Sequence, residues 1–564
     1  MQQRVGVLIA AGAMVAGAVT AAAPAAAARP TSAPPEPGIP ATAPPGPATP
    51  AVMAPALGTP AAAAPPAWKA CATTSYPRLQ CAELSVPLDH DDPLGERITL
   101  ALSRVPHTAK TFQGPLVVNP GGPGAGGRTM AGFVAASLPA KTAAQYDVIG
   151  FDPRGVGASK PALNCKPGYF APVRPDSVPR DTRDERVNLA RAASFARACG
   201  EKYGRLLPHI STTAAARDLD AIRQALGARQ ISYLGYSYGT YLGAVYARLF
   251  PDRVRRAVLD SVVDPRGVWY EANLAQDTAF DARHKAFAAW VARHDKAYKL
   301  GGDPAEVERR WYAMREALKR RPAGHTVGPA ELEDTFLPGG YYNGYWPMLA
   351  EAFSAYANER DPAPLVAVYK ALATRDASDE NGYSVYAAVQ CRDARWPKDW
   401  GTWYQDNWRT HAKAPFSTWN NAWYNAPCAF WPVEAASRIE VTNDALPPVL
   451  LFQATEDAAT PFEGAVTARR ELRGSRLVVE EDGGNHGVTL AGNACADGHL
   501  ARYLDTGELP KDGGGQGQAD AVCAARAEPE PAGTAARGSR AGTSVATLPA
   551  TGGAALHGML GHRG

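Results

Sequence analysis

The chain lacks three things: a strong net charge, metal-ligand spacing, and an apolar run long enough to cross a bilayer. Its 58 basic and 55 acidic residues leave a formal net charge of +3 over 564 positions, so nothing electrostatic points to nucleic acid or an anionic membrane surface as a partner. No C-x-x-C or H-E-x-x-H spacing occurs, and the cysteines are scattered, so the expectation is no metal and no cofactor. The apolar stretch Val5 to Val19 falls short of the roughly 20 residues that a spanning helix needs and is diluted by Gly and Ala. No cysteine precedes Cys71, which argues against lipid attachment close behind the leader.

What is present is a chain 46% hydrophobic and 20% charged, able to bury a large core and long enough for two or more structural units. Arg4, the apolar stretch and Ala26-Ala27-Ala28 form an export signal with an A-x-A cleavage site, so residues 1–28 read as a signal peptide and the mature protein as secreted. A cut after Ala23 is the alternative. Residues 29–66 are almost wholly Ala, Pro, Thr and Gly, a composition that cannot bury enough apolar surface to offset ordering; they read as a linker or propeptide. Residues 526–564 read as a matching disordered tail. Within it, Leu548-Pro549-Ala550-Thr551-Gly552 has the form of a sorting signal for cell-wall attachment, but Gly553 to Gly564 lacks the long apolar stretch that such a signal needs.

Eight cysteines in an exported chain suggest disulfides, and pairing by shortest loop joins Cys71 with Cys81, Cys165 with Cys199, Cys391 with Cys428, and Cys495 with Cys523. Sequence alone leaves other connectivities open.

Between linker and tail, strand-like runs alternate with helical patterns. The strands are expected at Ala82 to Pro87, Arg97 to Arg104, Pro115 to Asn119, Tyr146 to Phe151, Ile231 to Gly235, Arg256 to Ser261, Pro448 to Gln453 and Ser475 to Glu480. Helical patterns such as Val187 to Tyr203 and Thr213 to Leu226 fall between them, as a mainly parallel sheet requires. From 265 to 440 this rhythm gives way to amphipathic helices (Asn273 to Tyr298, Glu306 to Lys319, Pro364 to Ala373) and many tryptophans, read here as burial and cap packing. The expected organisation is therefore a core of residues 67–264 and 441–525 carrying a helical cap of residues 265–440.

Gly235-Tyr236-Ser237-Tyr238-Gly239 follows the fifth strand and precedes a helix-like stretch, the context of a nucleophile elbow. Ser237 would be presented at a sharp turn, and the flanking glycines would let strand and helix approach closely. After the third strand comes Asn119-Pro120-Gly121-Gly122-Pro123-Gly124-Ala125-Gly126-Gly127, a loop suited to bringing an N–H close to a reacting carbonyl oxygen. Gly122-x-Gly124-x-x-Gly127 also matches a dinucleotide fingerprint, with Asp147 and Asp152 beyond it, but that reading leaves the serine elbow unexplained. Asp457 sits just past the seventh strand and His486, among glycines, just past the eighth, completing the chain order Ser, Asp, His. Glu456, Asp482 and His499 are their competitors. Asp152 and Arg154 read as braces for the nearby turn.

Eight strands with the serine after the fifth is the α/β-hydrolase order, with the cap inserted between the sixth and seventh strands. Asn119-Pro-Gly-Gly-Pro-Gly, Phe151-Asp152-Pro153-Arg154-Gly155, the Ser237 elbow, Asp457 before Thr460-Pro461, and His486-Gly487 together resemble the secreted tripeptidyl aminopeptidases of actinomycetes. These belong to the proline-iminopeptidase group of α/β-hydrolases. The resemblance spans about Trp68 to Cys523, and Asn119-Pro120 stands where proline iminopeptidases usually carry a histidine. It implies release of short peptides, typically tripeptides, from free N-termini of peptide or protein substrates. It also implies oxyanion donors at the backbone N–H groups of Tyr238 and Gly122, with Gly121 or Gly124 as alternatives to the latter. An aminopeptidase further needs a carboxylate for the substrate ammonium, and Asp393, beside Cys391, is the candidate. An esterase of the same fold and a catalytically silent wall protein are the rival readings.

Overall fold

The computed structural model describes residues 65–513, 519–531 and 552–560. The signal segment, nearly all of the linker and Leu548 to Thr551 lie outside the described residues.

One ten-stranded sheet organises the chain: β1 (Lys69–Ala70), β2 (Gln80–Pro87), β3 (Arg97–Val105), β4 (Pro115–Asn119), β5 (Asp147–Asp152), β6 (Ile231–Tyr236), β7 (Val254–Asp260), β8 (Leu450–Ala454), β9 (Arg476–Glu481) and β10 (Ala521–Ala524). Their spatial order is β1-β2-β3-β5-β4-β6-β7-β8-β9-β10. β1 to β3 pair antiparallel, β3 is antiparallel to β5, and from β5 onward every pairing is parallel. The central strands β4, β6 and β8 are buried along their whole length. That explains why they read as continuous apolar runs: helices cover both faces of a parallel sheet. The eight expected strands are all present, and β1 and β10 extend the two edges.

The helices flanking the sheet begin where capping chemistry places them. Asp181 accepts from Arg183 N and Asp184 N at the start of Thr182–Tyr203, and Ser211 accepts from Ala214 N at the start of Thr212–Ala225. Between β7 and β8 the cap runs through helices that include Tyr270–Arg293, Pro304–Arg320, Trp346–Ser354, Ala363–Leu372, Ala377–Asp393, Trp400–His411 and Thr418–Asn425. Part of the cap has its own apolar core around Trp290, Trp311, Trp346 and Phe353. Trp396, Trp403, Trp400, Trp423 and Trp419 stack in series at centroid spacings of 5.5, 5.6, 5.0 and 5.4 Å, a packing role for these large rings.

The cysteines join as the four short-loop pairs: Cys71–Cys81, Cys165–Cys199, Cys391–Cys428 and Cys495–Cys523.

The tail departs from expectation. Residues 525–531 lie along the core, with Arg526 pairing with Glu480 and Trp290 Nε1 donating to Pro529 O. Gly552–Leu560 is a helix, and its Leu556 and Leu560 are buried with Met130, Val134, Val488 and Leu490. The composition argument for disorder misses this because it averages over the tail, whereas docking needs only a local apolar pair one helical turn apart.

Candidate active site

Ser237 closes β6 and opens the helix Tyr238–Leu249 with φ 56° and ψ −128°, a conformation that L-residues seldom adopt and that functional turns store. The flanking glycines are required by contact. A Cβ on Gly235 would stand 2.4 Å from the carbonyl oxygen of Gly239. The loop after β4 lies directly against this turn: Asn119 Oδ1 accepts from Gly121 N at 3.0 Å, and a Cβ on Gly121 would meet Tyr236 O at 2.6 Å. Gly124, at φ 107°, presses the same loop onto the cap, where a Cβ would lie 2.2 Å from Gly382 O. Gly122 and Tyr238 line a cleft together with Ser237.

Asp152 and Arg154 brace this region. Asp152 Oδ1 accepts from Gly127 N and Arg128 N, and its Oδ2 from Ala158 N. The buried guanidinium of Arg154 makes two hydrogen bonds to Asp218 and two more to the carbonyls of Leu88 and His209.

The structure brings Asp457 and His486 together at the same end of the sheet. His486 Nδ1 lies 2.8 Å from Asp457 Oδ2 and 3.0 Å from Oδ1, and both residues are buried. Asp457 also accepts from Ala459 N, Thr460 N and Thr460 Oγ1 at 2.9, 3.0 and 2.9 Å, donors that hold the carboxylate plane. His486 N donates to Tyr341 O at 2.8 Å, and the Tyr341 ring meets the imidazole edge-on at 5.5 Å. A buried imidazole bound to a carboxylate through Nδ1 has its tautomer set, with Nε2 as the proton acceptor. The competitors are placed otherwise: Glu456 pairs with Arg283, and His499 lies beside the Cys495–Cys523 disulfide.

Asp393 does not reach the cleft, which corrects the sequence expectation for it. Its Oδ1 accepts from Thr212 N at 2.8 Å and its Oδ2 from Thr212 Oγ1 at 2.5 Å. The hydroxyl of Thr212 in turn contacts Tyr238 OH at 2.7 Å. The carboxylate thus satisfies the positive end of the helix Thr212–Ala225 beneath the site. Burial pushes its pKa up to about 6, with the Thr212 donors opposing.

Among the described residues, the acids that line the cleft are Asp264, Glu271 and Glu463, and no Lys, Arg or His lines it. Its volume is about 400 Å³, within the range of small-ligand sites. Sequence reasoning passed over all three. Asp264 follows β7 and Glu271 opens the first cap helix, so the start of the insertion was the place to look.

The α/β-hydrolase-fold family matches residues 114–488. The chain is 45% identical over 476 residues to a tripeptidyl aminopeptidase of Streptomyces coelicolor, covering 82% of this chain and 87% of that protein. It is 33% identical over 456 residues to the serine protease Hip1 of Mycobacterium tuberculosis, covering 77% and 86%. It is 35% identical over 470 residues to a carboxylesterase B of the same organism, covering 79% and 88%. With the elbow, the loop and the Asp457–His486 pair in place, these similarities identify the chain as a serine peptidase of the α/β-hydrolase family, related to the tripeptidyl aminopeptidases.

Proposed function

We propose that the protein is a secreted exopeptidase that releases tripeptides from free N-termini through an acyl-enzyme on Ser237. His486 takes the Ser237 proton as the hydroxyl attacks the scissile carbonyl, then protonates the departing amine. Asp457 holds the imidazole tautomer and stabilises its cationic form. The N–H groups of Tyr238 and Gly122 receive the developing oxyanion, each contributing about 2.7 to 4 kcal/mol.

The observation that carries the reading is the charge of the cleft: among the described residues, three carboxylates and no Lys, Arg or His line it together with Ser237. An ammonium entering such a cleft is attracted by these carboxylates, whereas an acylated terminus is not. Glu271 is the assigned ammonium partner because it opens the cap helix beside Asn273 and Gln276, polar side chains that also line the cleft. The tripeptide length is supported by the Streptomyces relative, and export by the leader sequence together with the four disulfides.

The test compares a free-amine tripeptidyl anilide, its N-acetylated twin and a prolyl anilide. The free tripeptide alone is expected to be cleaved, Ser237→Ala to abolish cleavage, and Glu271→Gln to raise KM for the free amine. Equal rates on the acetylated twin would remove the exopeptidase reading. The esterase reading has support in the carboxylesterase relative; hydrolysis of a short acyl ester with all three anilides intact would establish it. Sequencing of the mature N-terminus from culture medium tests export.

A further inference from the structure

Asp260, the last residue of β7, is fully buried and does not line the cleft. Its own carbonyl accepts from Ser237 N at 3.0 Å, closing the nucleophile turn onto the sheet. Its side chain reaches the other way. Oδ1 accepts from Val488 N at 3.0 Å, and Oδ2 accepts from Thr489 N at 2.7 Å and Thr489 Oγ1 at 2.5 Å. The next residue, Ser261, also buried and at φ 58°, accepts from Gly487 N through Oγ at 2.7 Å. Three consecutive backbone donors immediately after His486 therefore end on two consecutive side chains at the end of β7. An array of main-chain N–H groups facing one carboxylate is an anion nest, and here the anion belongs to the protein.

We propose that Asp260 is a positioning residue that sets the spacing between Ser237 and His486, its main chain holding the serine turn and its side chain the histidine loop. Tyr236, the residue before the serine, reaches the same loop through its hydroxyl, which donates to Thr489 O at 3.2 Å, whereas Asp260 binds the serine turn and the loop at once. Because proton transfer from serine to imidazole depends steeply on geometry, a loop displaced by an ångström costs orders of magnitude in rate without loss of substrate binding. The groups that surround the carboxyl are His486 on the loop and Tyr236 on β6, whose hydroxyl lies 2.9 Å from Thr489 Oγ1. Beyond them, Asp497 accepts from Leu490 N and Arg526 donates to Gly487 O. Burial pushes the Asp260 carboxyl up to about 6, opposed by its three hydrogen bonds from Val488 and Thr489. As the pH falls through that value, the protonated carboxyl loses acceptor capacity toward the loop.

The experiment measures acylation of Ser237 by a fluorophosphonate, which reports nucleophile reactivity whatever the peptide specificity. Asp260→Asn is expected to slow acylation by about tenfold or more, to lower kcat on the peptide anilide with KM unchanged, and to make the acid limb of the acylation profile shallower. An Asp260→Asn protein that is folded by circular dichroism yet acylates within about twofold of wild type, with an unchanged acid limb, overturns the proposal. If Asp260→Asn does not fold, Thr489→Val and Ser261→Ala decide the matter. Each removes one loop contact, so a slower acylation in both supports the proposal and wild-type rates in both overturn it.

Discussion

A single carboxylate can serve the site or the fold, and its partners decide which. Asp457 gives its oxygens to an imidazole and to three local donors on Ala459 and Thr460, two residues that line the cleft, whereas Asp393 gives both of its oxygens to Thr212 at a helix start. Both were picked from sequence as acids beside a structural landmark, and nothing local in the sequence distinguishes an outward carboxylate from an inward one. The difference is measurable. Burial raises the folded-state pKa of Asp393 from 3.8 to about 6. Between these values the folded chain binds more protons than the unfolded chain, so this group's contribution to stability is present at low pH and lost as pH rises through about 6. Asp393→Asn removes that titration. Relative to wild type, its stability is expected to rise by on the order of 1 kcal/mol between pH 5 and pH 7.5, read from urea midpoints. KM for the free-amine tripeptide should stay at the wild-type value, since the side chain does not line the cleft.

At the scale of elements, legibility followed periodicity. The sheet was legible because buried parallel strands are short apolar runs bounded by turn residues, and the Ser237 elbow because its glycines are demanded by contact. The helix Ala377–Asp393 was not, since its residues from Asn381 to Cys391 are all buried and present no amphipathic stripe. It is nonetheless the element that sets Gly382 against the glycine loop after β4 and Asp393 against the helix below. The Cys391–Cys428 bond pins its far end across 37 residues of sequence, against 10 for Cys71–Cys81. In the chain-entropy account the first bond restricts the unfolded chain more, by about 4 kcal/mol against about 3 for the second. Replacing both cysteines of each pair by serine should reproduce that order in urea unfolding. The Cys391/Cys428 variant alone should also lose activity, because its helix carries the contact to the loop that holds Gly122.

In the whole molecule the helix Gly552–Leu560 lies at the cleft. Leu560 shares the cleft wall with Ser237, Gly122 and Tyr238. Leu556 and Leu560 also stand against Gly487, next to His486, and the His557 ring stacks on Tyr342 at 4.3 Å. The ten-stranded sheet does not include this helix, so a state in which the helix is undocked leaves the strands in place. A substrate that needs the space of Leu560 then meets only the fraction of molecules in which the helix has left, and its apparent affinity is divided by that fraction. A chain ending at Pro531 should therefore show KM for a tripeptidyl anilide lowered by about threefold or more, with kcat and the acylation rate of Ser237 unchanged. Leu560→Ala should move KM in the same direction by less, since it empties part of the wall and leaves the helix docked. If the shortened chain instead has a higher KM, Leu560 is a substrate contact and the helix completes the cleft. Steady-state kinetics on the two variants separates these outcomes, because covering and completing the cleft change KM in opposite directions.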